Sequence, residues 1–75
     1  MTHSEFFELA KDRKWVVGYC HTGQKCWCRI IRCDPPIYEF DDVEMNVVGS
    51  GTISKEMAEY IVNLHNQNLK QNGKI

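Results

Sequence analysis

Residues 14–33, KWVVGYCHTGQKCWCRIIRC, constrain this chain more than any other stretch. They hold all four cysteines, both tryptophans and the densest run of strand-forming residues. Trp15, Val16, Val17 and Tyr19 favour a pleated strand, and residues 25–33 read as a second one. Thr22-Gly23 between them is a turn signal, because Gly23 takes positive φ without steric cost. Asp34-Pro35-Pro36 ends the second strand, since proline has no N–H to give a ladder. The stretch therefore reads as a β-hairpin, with the flanking segments as its packing partners.

The two faces of that hairpin follow from the period of two. Trp15, Val17 and Tyr19 share one face of the first strand, and Val16, Gly18 and Cys20 share the other. A three-residue loop, Thr22-Gly23-Gln24, sets Cys20 opposite Cys26 and Tyr19 opposite Trp27. A two-residue loop changes which faces are partnered. The three-residue register gathers Val16, Gly18, Cys20, Cys26, Cys28 and Ile30 into a small face that lets helices approach closely. Trp15, Tyr19, Lys25, Trp27 and Arg29 are then expected on the outward face, and aromatics mixed with Arg and Lys are what binding surfaces enrich. The competing reading places Trp15 and Trp27 in the core and the small face outside.

Helices are expected on both sides of the strands. Residues 2–12 open on a capping box, Thr2 with Glu5, and put Phe6, Leu9 and Ala10 on one stripe, with Phe7 at its edge. Val43, Met45 and Val47 alternate as a third strand, and Gly49-Ser50-Gly51 turns the chain. Ser54 caps a second helix running to about Leu69, with Met57, Ala58, Ile61, Leu64, His65 and Asn68 on one face and Val62 and Leu69 flanking. The expected fold is α+β: one domain over residues 1–75, a three-stranded antiparallel meander with an N-terminal and a C-terminal helix, order α-β-β-β-α.

Composition narrows the functional classes. Seventy-five residues with 43% hydrophobic and 25% charged side chains fit one ordinary globular domain, which buries roughly 60% of its unfolded surface. A net charge of −1 gives no overall field for nucleic acid. The apolar runs of four or five residues are far short of the ~20 that span a bilayer. MTHSEFFELAKDRK shows no basic segment followed by an apolar one, so a cytoplasmic setting with reduced thiols is the expectation.

The cysteines invite chemistry first. Structural zinc normally takes paired knuckles, whereas Cys26 and Cys28 lie two apart on a strand and Cys33 points the other way. Small buried thiols are the plainer reading. A Cys20–Cys26 disulfide closes a very short loop. A nucleophilic cysteine needs a base, yet His21 points away from Cys20, and His65 sits on an inner helix face. Glu39, Asp41, Asp42 and Glu44 form an acidic rim without the spacing of a calcium loop. No catalytic set, metal or cofactor is expected.

Two resemblances add to this. The order α-β-β-β-α and the segment Gly49-Ser50-Gly51-Thr52-Ile53-Ser54-Lys55-Glu56-Met57-Ala58 resemble a double-stranded RNA-binding domain, whose glycine-rich turn enters its last helix through Ser-Lys-Lys-x-Ala-Lys. Ser54, Lys55 and Ala58 match after an extra residue. Glu56 and Glu59 stand where that family has phosphate-contacting lysines, and the hairpin loop lacks its Gly-Pro-x-His, which implies a lost RNA-binding function. The segment 53–66, ISKEMAEYIVNLHN, is similar to the end of many small phage and prophage accessory proteins. That similarity implies a compact protein that binds and inhibits a host factor, anti-defence proteins included.

The expectation that joins these readings is a non-enzymatic module binding a host protein through Trp15, Tyr19, Lys25, Trp27 and Arg29 in the host cytoplasm. A nucleic-acid or nucleotide binder using the same face, with bases stacked on the aromatics, is the alternative, and a zinc-stabilised interaction module is the third reading. Homo-oligomerisation is left open.

Overall fold

The computed structural model describes residues 2–19 and 26–73. Cys20, His21, the Thr22-Gly23-Gln24 loop and Lys25 lie outside the described residues, and so does the expected Cys20–Cys26 pairing. The chain runs from α1 (His3–Ala10) through β1 (Lys14–Tyr19), β2 (Cys28–Asp34) and β3 (Asn46–Ser54) to α2 (Lys55–Gln71). The three strands form one antiparallel sheet in the order β1-β2-β3, so the α+β fold with order α-β-β-β-α is as expected.

The first helix starts where its sequence says it should. Thr2 Oγ1 accepts from the Glu5 N–H at 3.2 Å, and the Glu5 carboxylate accepts from the Thr2 N–H at 3.4 Å, a reciprocal capping box. Phe6 and Ala10 are buried, but Leu9, expected on the same stripe, faces solvent. The reason is local. The Trp15 indole lies against the end of α1 and donates from Nε1 to the Ala10 carbonyl at 2.9 Å, which fixes the roll of a helix only two turns long.

The hairpin pairs Tyr19 with Arg29, Val17 with Ile31 and Trp15 with Cys33. This is shifted by two residues from the expected Tyr19–Trp27 register. An even shift leaves the partnership of faces intact. What reverses is the side the helices cover. Trp15, Val17, Ile31 and Cys33 point toward α1 and α2, while Gly18, Ile30 and Arg32 lie on the opposite face. Burying Trp15, Val17 and Ile31 removes far more apolar area from water than burying the small residues would, and that outweighs the closer helix approach a small face permits.

Two linked clusters make the core. Phe6, Ala10, Cys33 and Ile37 form one, and Ile31, Ala58 and Val62 form the other; Trp15 and Val47 touch both. Val47 reaches the core through a β-bulge. Ile31 pairs with Val48 and Arg32 with Asn46, so Val47 is the extra residue, and both valines pack inward.

The third strand departs most from expectation. Val43 and Met45 lie before it, in a small arm closed by Met45 N–H to Ile37 C=O and Glu39 N–H to Val43 C=O, each 2.8 Å. A 3-10 turn, Phe40–Asp42, tips that arm. Gly49-Ser50-Gly51 does not turn the chain out of the sheet. Arg29 pairs with Ile53 and Ile31 with Val48, so residues 49–52 stand opposite Ile30 alone as a bulge within β3. Gly51 there has φ 81°, and Thr52 Oγ1 donates to the Gly49 carbonyl at 2.8 Å.

Ser54 caps α2, its hydroxyl accepting from the Met57 N–H at 3.3 Å. The buried line of α2 is Ala58, Val62 and Leu69. Met57 and Leu64, expected inside, are about half exposed. The helix is rolled toward Val62 and Leu69 because the residues between them, His65 and Asn66, are bonded to the backbone of β1 and its approach.

Candidate protein-binding surface

The candidate surface is built from the edge of β1 and the end of the hairpin. Asn66 positions the first of these. Its Oδ1 accepts from the Trp15 N–H at 3.0 Å, and its Nδ2 donates to the Trp15 carbonyl at 3.0 Å. The carboxamide thus completes one rung as a neighbouring strand would. His65, one residue earlier on α2, stacks on Trp15 with ring centroids 3.5 Å apart and planes 11° from parallel. Its Nε2 lies 2.8 Å from the Arg13 carbonyl; a carbonyl only accepts, so Nε2 carries the hydrogen.

These contacts define the direction of the strand's free groups. In an antiparallel ladder, alternate residues turn their N–H and C=O to the same side. Trp15 turns its own away from β2 toward α2, so Val17 and Tyr19 turn theirs to the same edge. α2 covers that edge at Trp15 and leaves it open beyond. Among the described residues no hydrogen bond to the Val17 or Tyr19 backbone crosses that edge.

Concavities flank this open length on both faces. On the face away from the helices, Gly18, Tyr19, Ile30, Arg32, Glu44 and Asn46 help line a hollow of about 540 Å³. Gly18 is its floor: a Cβ there would stand 3.0 Å from Ile30 Cγ1. Arg32 Nη1 and Glu44 Oε1 are 3.5 Å apart, an ion-pair distance, yet that buried oxygen has no hydrogen-bond partner. On the helix side, a hollow of about 230 Å³ is lined by Val17, Gly18, Tyr19, Arg29, Lys55 and Glu59. Lys55 and Glu59 form an exposed pair there at 3.9 Å.

Tyr19 and Arg29 pair at the end of the sheet, and Trp27 lies two residues before Arg29, just ahead of β2. Tyr19 is 72% exposed and Trp27 66%. The Arg29 guanidinium sits 4.9 Å from the Tyr19 ring centroid, a cation–π contact worth about 0.5–1 kcal/mol when exposed. Nη1 of the same side chain donates to the Cys26 and Cys28 carbonyls at 2.7 and 2.8 Å. Arg29 therefore fixes the approach to β2 and carries Trp27 on it. Trp15 stands apart from this cluster, half-buried among α1, β2 and α2. Lys25, the fifth expected contact, lies outside the described residues.

Cys28 and Cys33 are buried, and burial pushes the Cys33 thiol up from its ordinary range, away from the thiolate a nucleophile needs. Among the described residues no three His, Cys, Asp or Glu side chains come together as a metal site. No helix among them is long and apolar enough to cross a membrane.

Other exposed apolar groups escaped sequence reasoning. Phe40 is 78% exposed at the tip of the 37–45 arm, beside Tyr38 and Val43. Met57, Tyr60 and Leu64 form an outward stripe on α2. The open edge at Val17 and Tyr19 was also missed. Its signal lay in Asn66, a polar residue four after Val62 and three before Leu69 on the core line of α2, which must bond to something if it is half-buried.

Fold and surface together define the class: a small α+β domain whose three-stranded antiparallel sheet carries helices on one face. Comparison with known protein families, with curated proteins and with solved structures found no match.

Proposed function

We propose that this chain is a non-enzymatic protein-binding module that docks through Tyr19, Trp27 and Arg29, with Lys25 adjacent in sequence. The observation that carries this is the pair of largely exposed aromatics at one end of the sheet, held beside an arginine whose own position is fixed by three contacts. Large aromatics and arginine dominate binding energy at interfaces, and preorganisation lowers the entropy cost of docking. The proposal extends to a host protein as the target and inhibition in the host cytoplasm, anti-defence included, as the outcome; its motivation is the sequence resemblance read in residues 53–66 alone.

The test is capture from host lysate on the immobilised full chain, repeated with Tyr19→Ala and Trp27→Ala. Each variant is expected to keep the parent circular dichroism spectrum and to lose at least tenfold in affinity, about 1.4 kcal/mol. Variants that fold and hold the same partner undiminished refute the proposal. Material that is released by nuclease and falls off steeply with salt would instead support the nucleic-acid reading.

A further inference from the structure

The open edge of β1 asks for a strand. An extended segment laid against it gains main-chain hydrogen bonds from Val17 and Tyr19, and its side chains alternate between the two faces of the sheet. Hollows lie on both of those faces around the same three residues, Val17, Gly18 and Tyr19. A bare edge alone is ordinary in small sheets. An edge with a receiving hollow on each side is what strand addition uses for selectivity.

The charges choose the occupant. Among the described residues, the helix-side hollow carries two cations, Arg29 and Lys55, against one anion, Glu59. The opposite hollow carries Arg32 against Glu44 and is balanced, with apolar surface from Ile30 over the Gly18 floor. We infer that the partner contributes an extended peptide strand that pairs with Val17 and Tyr19, directing an acidic side chain toward Arg29 and Lys55 and an apolar one over Gly18 and Ile30. A second copy of β1 does not meet this requirement, because KWVVGY has no acidic residue. Asn66 sets the register by closing the rung at Trp15, so the added strand begins at Val17. The inference rests on the protein-binding reading and names the mode of binding at the same surface.

The test pans the full chain against a display library of random decapeptides, then measures amide hydrogen exchange with enriched peptides added. Enriched sequences are expected to alternate, with Asp or Glu on one face and apolar residues on the other. They are expected to slow exchange at Val17 and Tyr19 at least tenfold while changing Val16 and Gly18 little. Lysine in place of the acidic residue is expected to weaken binding at least tenfold. So is a synthetic chain carrying an ester in place of the Val17 amide, which removes the edge N–H and keeps every side chain.

Strand addition is overturned if no peptide is enriched, if exchange at Val17 and Tyr19 is unmoved, if lysine is tolerated, or if the ester chain binds within twofold. It is also overturned if the protein alone protects these amides as a dimer, which makes a second copy the occupant. The two readings fail separately. If the ester chain captures the lysate partner like the parent while Tyr19→Ala and Trp27→Ala do not, only strand addition falls. If those two variants capture it undiminished, the protein-binding reading falls whatever the peptides do.

Discussion

Replacing Asn66 by alanine removes both hydrogen bonds that join α2 to the backbone of β1. Each neutral bond contributes about 1 kcal/mol net, so the loss is about 2 kcal/mol, and more if the half-buried Trp15 groups find no water. A 75-residue domain has about 4–11 kcal/mol of stability in all, so this is a sizeable share. In a domain of this size it lowers Tm by about 8–16 °C. Urea unfolding followed by circular dichroism gives the free energy, with an m-value near about 1 kcal/mol/M placing the midpoint shift near about 2 M. Amide exchange gives the location, because only the Trp15 amide should lose its partner. Gln67→Ala, exposed on the next position of α2, is the control and should stay within about 0.5 kcal/mol. A loss below about 0.5 kcal/mol for Asn66→Ala, or an equal loss for Gln67→Ala, refutes the view that this carboxamide closes a rung of the sheet.

Three further perturbations have defined outcomes. Ile31→Ala, at a position with no exposed surface between β1, β3 and α2, should cost about 2–5 kcal/mol, measured by denaturant unfolding. Ser54→Ala removes the cap of α2 and should cost about 1 kcal/mol, visible as the same shift in urea midpoint without a change in m. Alkylation followed by mass spectrometry should modify Cys26 before Cys28 and Cys33, which are buried. Burial raises the Cys33 pKa, so its thiolate is scarcer than that of an ordinary thiol at a given pH, and its labelling should lag until denaturant is added.

The parts of the fold that were legible are those governed by local chemistry. Thr2 with Glu5 and Ser54 each mark a helix start through one side-chain bond, and proline ends a strand wherever it falls. The face partnership of the hairpin also survived, because an error of two residues in register preserves parity. Choosing which face goes inside required weighing the whole face. Val17 and Ile31 share a face with Trp15, and counting them with it favours burial of that side. The bulges were not legible, since Gly49-Ser50-Gly51 has turn chemistry and only its pairing across from Ile30 keeps it in the sheet. Of the candidate binding residues, Tyr19 and Arg29 come together with Trp27 exposed two residues away in sequence, whereas Trp15 is drawn inward by a helix more than forty residues away, a contact no local pattern encodes.

The bulge at residues 49–52 has a consequence for how many partners the sheet can take. It interrupts β3, the second outer strand, with four residues that face a single position on β2, so that strand cannot offer a regular row of groups to a newcomer. Among the described residues only β1 keeps a regular edge, and Asn66 already closes its rung at Trp15. As a strand acceptor the domain therefore has a valence of one. On the proposed mode of binding, the domain itself then accepts one added strand and not two.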